Sequence, residues 1–195
     1  QRSRPACTMT TSDNSINFSR CVTALSGGVV IIAPMPNRWK PNVTVAAIVE
    51  RAGHFLLVEE HTRDGLKLNN PAGLLDPGES PQAACVREVL EETAHDFTPT
   101  ALVGVYLNRF TKTGTHDDLT YLRFAFTGDV GAHYAERALD TGIVRAVWLT
   151  ADELRACPER HRSPLLLRSL EDYLSGQRFA LELVHTDPSV QLLRR

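Results

Sequence analysis

The chain has 195 residues, of which 43% are hydrophobic and 23% are charged, and its formal net charge is −2. This composition is typical of a globular domain with a substantial core, and it excludes a global basic field that would recruit nucleic acid. The four cysteines lack the paired spacing of a zinc site or a disulfide framework, which fits a reducing cytoplasmic location. No apolar run approaches the roughly 18 residues that a membrane-spanning helix needs.

The first 34 residues differ in character from the rest of the chain. They are rich in serine and threonine, show little helical or strand periodicity and lack a convincing secretory signal. We expect residues 1–34 to form a disordered extension, and two explanations stay open: a native start near Met35 or a genuine tail. A globular domain is predicted over residues 35–183, with a short C-terminal tail over residues 184–195.

The first regular elements are two apolar, β-branched runs, VTVAAIVE and HFLLVEEHT. The Ala52-Gly53 pair between them predicts a tight hairpin turn, and Asp64-Gly65 predicts a second turn. The next segment, LKLNNPAGLLDPGESP, contains too many prolines and glycines for continuous regular structure. It therefore predicts a shaped loop.

A helix is predicted from about Pro81 to about Ala94. Ser80 is a suitable N-cap, and proline suits the first helical position. The C-terminal end is less clear, because a glycine would be easier to explain there than alanine followed by His95. Alanine predicts either a slightly strained stop or a helix that runs one or two residues further.

Three glutamates of this helix, Glu88, Glu91 and Glu92, project from one face, because residues three and four apart are neighbours on a helix. Val86 and Leu90 point to the opposite side. We therefore expect an amphipathic helix with an apolar stripe in the core and a carboxylate face toward a cleft or solvent.

Further strands and short helices follow. Strands are predicted at TALVGVYLNRF and TYLRFAFTG, joined by a polar turn, and at IVRAVWL. Thr150 and Ser163-Pro164 are predicted to start two further helices. Strands mixed with a few helices, without regular βαβ alternation, indicate a single α/β (α+β) domain with a mixed β-sheet.

Three carboxylates this close together repel one another unless a positive partner neutralises them. Hard carboxylate oxygens suit Mg²⁺ or Mn²⁺, and those ions suit phosphate substrates. Arg87 is one helical turn from Glu91 and can reach back toward Glu79, which would hold the loop against the helix. An E-x-x-E-E run alone is common on solvated helix faces; Gly73 and Glu79 upstream are what favour a metal site here.

The segment GLLDPGESPQAACVREVLEETAH resembles the Nudix box, G-x5-E-x7-R-E-U-x-E-E-x-G-U, in which U is a bulky aliphatic residue. The positions that match are Gly73, Glu79, Arg87, Glu88, Val89, Glu91 and Glu92. The last two positions differ, because Ala94 replaces the glycine and His95 replaces the aliphatic residue.

The resemblance to the Nudix hydrolases implies an α/β/α sandwich around a mixed sheet and hydrolysis of a nucleoside diphosphate linked to another group. It also implies a divalent cofactor, Mg²⁺ or Mn²⁺, with Glu88, Glu91 and Glu92 as metal ligands. Glu88 is then the best candidate within the box for assisting deprotonation of the attacking water. By the same resemblance Arg87 supports catalysis, Gly73 adds a carbonyl ligand, and Gly73 and Glu79 shape the box.

From about Lys40 to about Glu182, segments such as KPNVTVAAIV, NNPAGLL and YLRFAF are similar to the NudJ-type phosphatases of bacteria. This similarity implies release of orthophosphate from nucleoside tri- and diphosphates. It also implies the pyrophosphate of the thiamine pyrimidine precursor as a further substrate. Leu68 replaces a tryptophan of that subgroup, so the similarity does not extend to base stacking at this position.

Residues outside the box allow two interpretations each. Arg123 lies on the polar face of its predicted strand, where it can bind a substrate phosphate or remain a surface cation. Asn70 can line the pocket or stabilise the loop. The turn at His116, Asp117 and Asp118 can supply a base or a ligand, although a solvated hairpin tip fits the pattern better.

Other functions also remain open. One is a different nucleotide or nucleotide-sugar pyrophosphohydrolase, and another is a non-catalytic Nudix module, which we would expect to have lost box glutamates. An RNA-end pyrophosphohydrolase would favour a basic surface, which a net charge of −2 does not support. The expected partner is a nucleotide or another diphosphate-containing small molecule, bound by a monomer or a homodimer, without nucleic acid or membrane.

Overall fold

A computed structural model describes residues 39–111 and 118–191. The expectations for residues 1–34 and for the side chains at 116–118 lie outside what it describes. The main elements follow the chain in the order β1 (Asn42–Ile48), β2 (Glu50–Arg51), β3 (His54–Thr62), β4 (Gly65–Asn69), β5 (Ala72–Leu74), α1 (Pro81–Thr93), β6 (His95–Thr111), β7 (Asp118–His133), β8 (Ile143–Thr150), α2 (Ala151–Arg155) and α3 (Pro164–Leu174). Short 3₁₀ helices lie at Pro158–Arg160, Leu181–Leu183 and Pro188–Gln191.

The strands form two sheets. The first has the order β5-β1-β7-β6, in which β1 is parallel to β7 and the other pairs are antiparallel. In the second sheet β3 pairs with β2, β4 and β8, all antiparallel. The predicted mixed-sheet α+β fold is therefore confirmed.

Helices cover both faces of the first sheet. On one face Val45 and Phe126 pack with Val89 of α1, and on the other Ile48 and Ala125 pack in a cluster that includes residues of α2 and α3. Because α3 covers the second face, Ala125 is buried there, although strand alternation predicts a polar face. None of the helices within residues 39–111 and 118–191 has the length and apolar character needed to cross a membrane.

Helix α1 begins as its sequence predicts. The Ser80 hydroxyl accepts a hydrogen bond from the Ala83 N–H at 3.1 Å, and Pro81 occupies the first turn. The core side of α1 is formed by Ala84, Cys85 and Val89, which are fully buried. The apolar stripe predicted through Val86 and Leu90 is therefore rotated, because both of these residues are only partly buried.

The helix ends in a strained stop. Ala94 adopts a left-handed conformation with φ 55° and ψ 29°, and its N–H donates to the Leu90 carbonyl. The next residue, His95, starts β6, is buried, and stacks on His133 with ring centroids 4.4 Å apart. A longer helix that would carry His95 onto the carboxylate face is therefore the wrong alternative.

Ala52 carries the same backbone strain at an exposed position. With φ 52° at Ala52 and φ 78° at Gly53, the β2–β3 connection has the positive φ values of a type I′ turn. An L-residue in this region costs about 1–2 kcal/mol, whereas asparagine tolerates it. At Ala94 a substitution that relieves the backbone strain would gain less, because the Ala94 methyl group is buried. Burying one CH₂ contributes about 0.8 kcal/mol.

We expect Ala52→Asn to raise the free energy of unfolding by about 0.5–1 kcal/mol, because it relieves a left-handed alanine without removing buried surface. Urea unfolding followed by circular dichroism measures this change. The matched control is Ala83→Asn, on the exposed side of α1, which should lower stability by about 0.5 kcal/mol through its poorer helix propensity. Loss of stability in both variants would contradict the account.

Candidate active site

Arg87 connects the loop before α1 to the carboxylate face. Its Nε and Nη2 atoms donate to Glu79 at 3.1 and 2.8 Å, and Nη2 also donates to the Leu74 carbonyl at 3.0 Å. Its Nη1 atom donates to Glu88 at 2.7 Å and to Glu91 at 2.9 Å. One guanidinium group thus fixes the loop to the helix, and it holds the pKa of Glu79 below its usual range.

Gly73 is where the loop comes closest to the helix. It lies on β5, paired with Val45, and a Cβ atom at this position would overlap the Glu88 carboxylate. Because Arg87 holds the Glu88 carboxylate in place, glycine lets the β5 backbone lie against it without displacing it. The Gly73 backbone and the Glu88 carboxylate form one wall of the site.

Glu92 is a buried carboxylate, and its Oε2 atom accepts a hydrogen bond from the Ala72 N–H at 2.8 Å. Burial raises its pKa to about 8, and the nearby carboxylates of Glu88, Glu60 and Asp140 act in the same direction. Burial also raises the pKa of Glu88, although Arg87 opposes this. The face therefore concentrates negative charge that a single arginine does not neutralise.

Two acidic residues outside the box join this site. Asp140 lies before β8; its N–H donates to the Glu91 carbonyl at 3.0 Å, and its charge raises the pKa of both Glu88 and Glu92. Glu60 of β3 raises the pKa of Glu92. Sequence reasoning missed both because Asp140 lies in the loop before β8 and Glu60 lies in β3, so no local spacing relates either residue to the helix.

The donor chemistry of this face suits a divalent ion, although its carboxylates do not converge on one point in this structure. Within residues 39–111 and 118–191, no three His, Cys, Asp or Glu side chains converge closely enough to hold a metal ion. Arg87 lies between Glu88 and Glu91, and Glu92 is held by the Ala72 N–H. The carboxylate oxygens are nevertheless hard donors of the kind that Mg²⁺ and Mn²⁺ prefer. The absence of a side chain at Gly73 also lets its backbone lie close to the Glu88 carboxylate.

The two residues predicted outside the box occupy different environments. Asn70 is buried, and its Oδ1 atom accepts a hydrogen bond from Ser169 of α3 at 3.5 Å, so it joins the loop to that helix. Arg123 of β7 is not a surface cation, because its Nε and Nη1 atoms are buried. Burial lowers the Arg123 pKa to about 10, whereas the charges of Glu60 and Glu92 oppose that change.

Comparisons with known proteins agree with this architecture. A model of the NUDIX domain matches residues 39–169. The phosphatase NudJ of Escherichia coli K12 is 34% identical over 146 residues, which cover 75% of this chain and 92% of that protein. The solved structure of a NUDIX hydrolase from Nitrosomonas europaea has 50% sequence identity and a TM-score of 0.72, and the match covers 76% of this chain and 99% of that one.

A more distant solved structure, a MutT protein from Methanosarcina mazei Go1, shares the fold at 22% identity and a TM-score of 0.54, over 71% of this chain and 98% of that one. The fold and its relatives define an enzyme that hydrolyses phosphorus-containing anhydrides. The chain belongs to the Nudix hydrolase family.

We expect the metal-free protein to lose stability as the pH rises from about 4.5 through about 8, because the folded-state pKa of Glu92 lies above its unfolded value. The loss should be on the order of 5 kcal/mol. Glu92→Gln should flatten this slope, as measured by urea unfolding in EDTA between pH 5 and 9. Glu136→Gln, at an exposed position, is the control.

Mg²⁺ should restore stability most at the high end of this range, because an ion competes with protons for the same carboxylates. If the Glu92→Gln variant kept the full pH slope of the unaltered protein, the buried charge at Glu92 would not be its source.

Proposed function

We propose that this chain is a divalent-metal-dependent hydrolase that cleaves the phosphoanhydride bonds of nucleoside tri- and diphosphates in the cytoplasm. The observation that carries the proposal is the buried carboxylate face of α1, which concentrates more negative charge than Arg87 neutralises. The similarity to NudJ, which spans 92% of that phosphatase, supports release of orthophosphate. The presence of every box glutamate favours an enzyme over a non-catalytic module.

Each box residue has a role in this proposal. Glu88, Glu91 and Glu92 hold Mg²⁺ or Mn²⁺, together with the Gly73 carbonyl. The bound ion supplies positive charge that polarises the phosphoryl group and acidifies water. Glu88 accepts the proton of the attacking water, for which a raised pKa is suitable.

Arg87 has a positioning role. Its bonds to Glu79 and the Leu74 carbonyl hold the loop, and an ion held by Glu88 and Glu91 would replace its bonds to those two carboxylates. Asp140, in the loop before β8, adds a further carboxylate beside Glu88 and Glu92. Its charge increases the affinity of these carboxylates for a cation. Asn70 and Arg123 border the substrate on the β-sheet side.

Glu88→Gln should lower kcat by a factor of at least about 10², because the group that accepts the proton is lost while the side chain keeps its size. A nucleotide panel with Mg²⁺, extended with the pyrophosphate of the thiamine pyrimidine precursor, measures turnover and separates orthophosphate from pyrophosphate. We expect orthophosphate from both tri- and diphosphates. Unchanged turnover in Glu88→Gln would defeat the catalytic assignment, and pyrophosphate plus monophosphate would replace it with another Nudix activity.

Asp140→Asn should lower kcat/KM by about 10-fold or more and raise the Mg²⁺ concentration needed for half-maximal activity, because one carboxylate is lost from the face. Its backbone bond to Glu91 is unaffected, so the fold should persist. Asp129→Asn, at an exposed position on β7, is the matched control. Identical Mg²⁺ dependence in the two variants would show that Asp140 does not act on the ion.

A further inference from the structure

The C-terminal end of α1 is held by hydrogen bonds from groups outside the helix. A helix leaves its last four carbonyl groups without a partner inside the helix. In α1 the Glu91 carbonyl accepts a bond from the Asp140 N–H at 3.0 Å, and the Thr93 carbonyl lies 2.8 Å from Nδ1 of His95. One imidazole therefore helps to fix the turn of the helix that carries Glu91 and Glu92.

The bond to Thr93 also fixes the tautomer of His95. A carbonyl oxygen only accepts hydrogen bonds, so Nδ1 of the neutral imidazole carries the hydrogen and donates it. A further proton can then be added only at Nε2, where it gives the ring a positive charge. Because His95 is buried, protonation places that charge inside the protein.

The His95 ring packs in a stack formed by three different strands. It lies on the ring of His133 of β7, with centroids 4.4 Å and planes 21° apart. Trp148 of β8 meets it edge to face, with centroids 6.1 Å apart, and Arg51 of β2 lies over the Trp148 ring at 4.3 Å. We call His95, His133, Trp148 and Arg51 the histidine stack.

The surroundings of His95 disfavour its charged form. Burial is the largest cause that lowers its pKa. Among the described residues, the charged groups that act on this pKa are His133 and Arg51, and both lower it. The bond to the Thr93 carbonyl opposes them, as a helix C-terminus does for a cation, but burial outweighs it.

The acidic residue next to His95 points away from the stack. Asp96 is exposed, whereas His95 and Phe97 on either side of it are buried. The Asp96 carboxylate instead accepts a hydrogen bond from the Tyr134 hydroxyl at 2.8 Å, at an exposed position. It is therefore not placed to form an ion pair with a protonated His95.

We propose that His95 is a positioning residue for the carboxylate face of α1. The neutral ring, stacked on His133, holds the last turn of the helix and with it the carboxylates of Glu91 and Glu92. When the ring is protonated it leaves the stack, its bond to Thr93 is lost, and the turn loosens, so ion binding weakens in acid. This inference rests on the proposed function, because it assumes an ion at α1.

The pH dependence has a definite sign. Because the folded-state pKa of His95 lies below the ordinary histidine value of about 6.5, its contribution to stability is fully present above that pH. The contribution is lost as the pH falls through the folded-state pKa. The raised pKa of Glu92 changes stability in the opposite direction, so the two effects are separable.

Mn²⁺ binding at pH 8, followed by electron paramagnetic resonance of the free ion, tests the positioning role. His95→Leu removes the donor to Thr93 and should weaken Mn²⁺ binding about 10-fold, as expected for a group that orients metal ligands. His95→Asn should restore most of this affinity, because its amide N–H can donate to the same carbonyl. Unchanged affinity in His95→Leu would overturn the inference.

The same measurement at pH 5.5 tests the role of the proton. Protonation of the carboxylates weakens Mn²⁺ binding in every variant, so it cancels from a ratio of dissociation constants. The ratio of the unaltered protein to His95→Asn, which does not titrate in this range, should rise about 5-fold between pH 8 and pH 5.5. The kcat/KM for ATP with Mg²⁺ should fall in parallel. A constant ratio would overturn the inference.

His54→Asn is the matched control. The Nδ1 atom of His54 also bonds a backbone carbonyl, that of Ala52 at 3.1 Å, but this imidazole is exposed. Its replacement should leave Mn²⁺ binding and its pH dependence as in the unaltered protein. If His54→Asn changed the pH dependence as much as His95→Asn, the effect would not come from the histidine stack, and the inference would be overturned.

Amide hydrogen exchange in EDTA separates this inference from the proposed function. Faster exchange in the last turn of α1 at pH 5.5 in the unaltered protein than in His95→Asn, with equal exchange at pH 8, supports the positioning role. This result would stand even if no nucleotide were hydrolysed, which would defeat the proposed function alone. Equal exchange at both pH values in a protein that hydrolyses nucleotides would leave the hydrolase in place and overturn the positioning role.

Discussion

The guanidinium group of Arg87 is the interaction on which the active site depends. It is the cation that simultaneously contacts Glu79 and the Leu74 carbonyl on the loop and Glu88 and Glu91 on the helix. Without it, a loop rich in glycine and proline would have little to fix it against α1. Because a guanidinium is planar and presents several donors, lysine could not replace these contacts with one ammonium group.

The second constraint is the burial of carboxylates. Glu88 and Glu92 lie in a layer formed by α1 and the β5 strand, where Gly73 leaves room for a carboxylate and the Ala72 N–H binds one oxygen of Glu92. Burial without enough positive charge favours the protonated state of these groups, as their raised pKa values indicate. The same arrangement gives a divalent ion a strong electrostatic gain, so folding stability and ion affinity oppose each other at this face.

How much of this could be predicted from the sequence depends on the range of the interactions. The N-cap and the charged face of α1 follow from the local sequence, and so do the contacts of Arg87 with Glu79 and Glu91. The rotation of the apolar side toward Ala84 and Cys85 could not be predicted in this way, because it depends on how the helix packs against the sheet.

The remaining parts of the site are set by tertiary structure. Asp140 reaches the carboxylates through a loop before β8, and Glu60 and Arg123, which belong to different sheets, each act on the pKa of the other. Strand alternation indicated a polar position for Arg123, but only the packed structure buries its unpaired donors. Likewise, the sequence allowed two endings for α1, and the start of β6 at His95 selects the left-handed stop at Ala94.

The most direct test of the central claim is an anomalous-scattering measurement on crystals soaked with Mn²⁺. We expect a manganese peak bonded to carboxylate oxygens of Glu88, Glu91 and Glu92, with Arg87 withdrawn from Glu88 and Glu91 and still bonded to Glu79. A manganese peak elsewhere on the protein, with Arg87 still bonded to both Glu88 and Glu91, would contradict it.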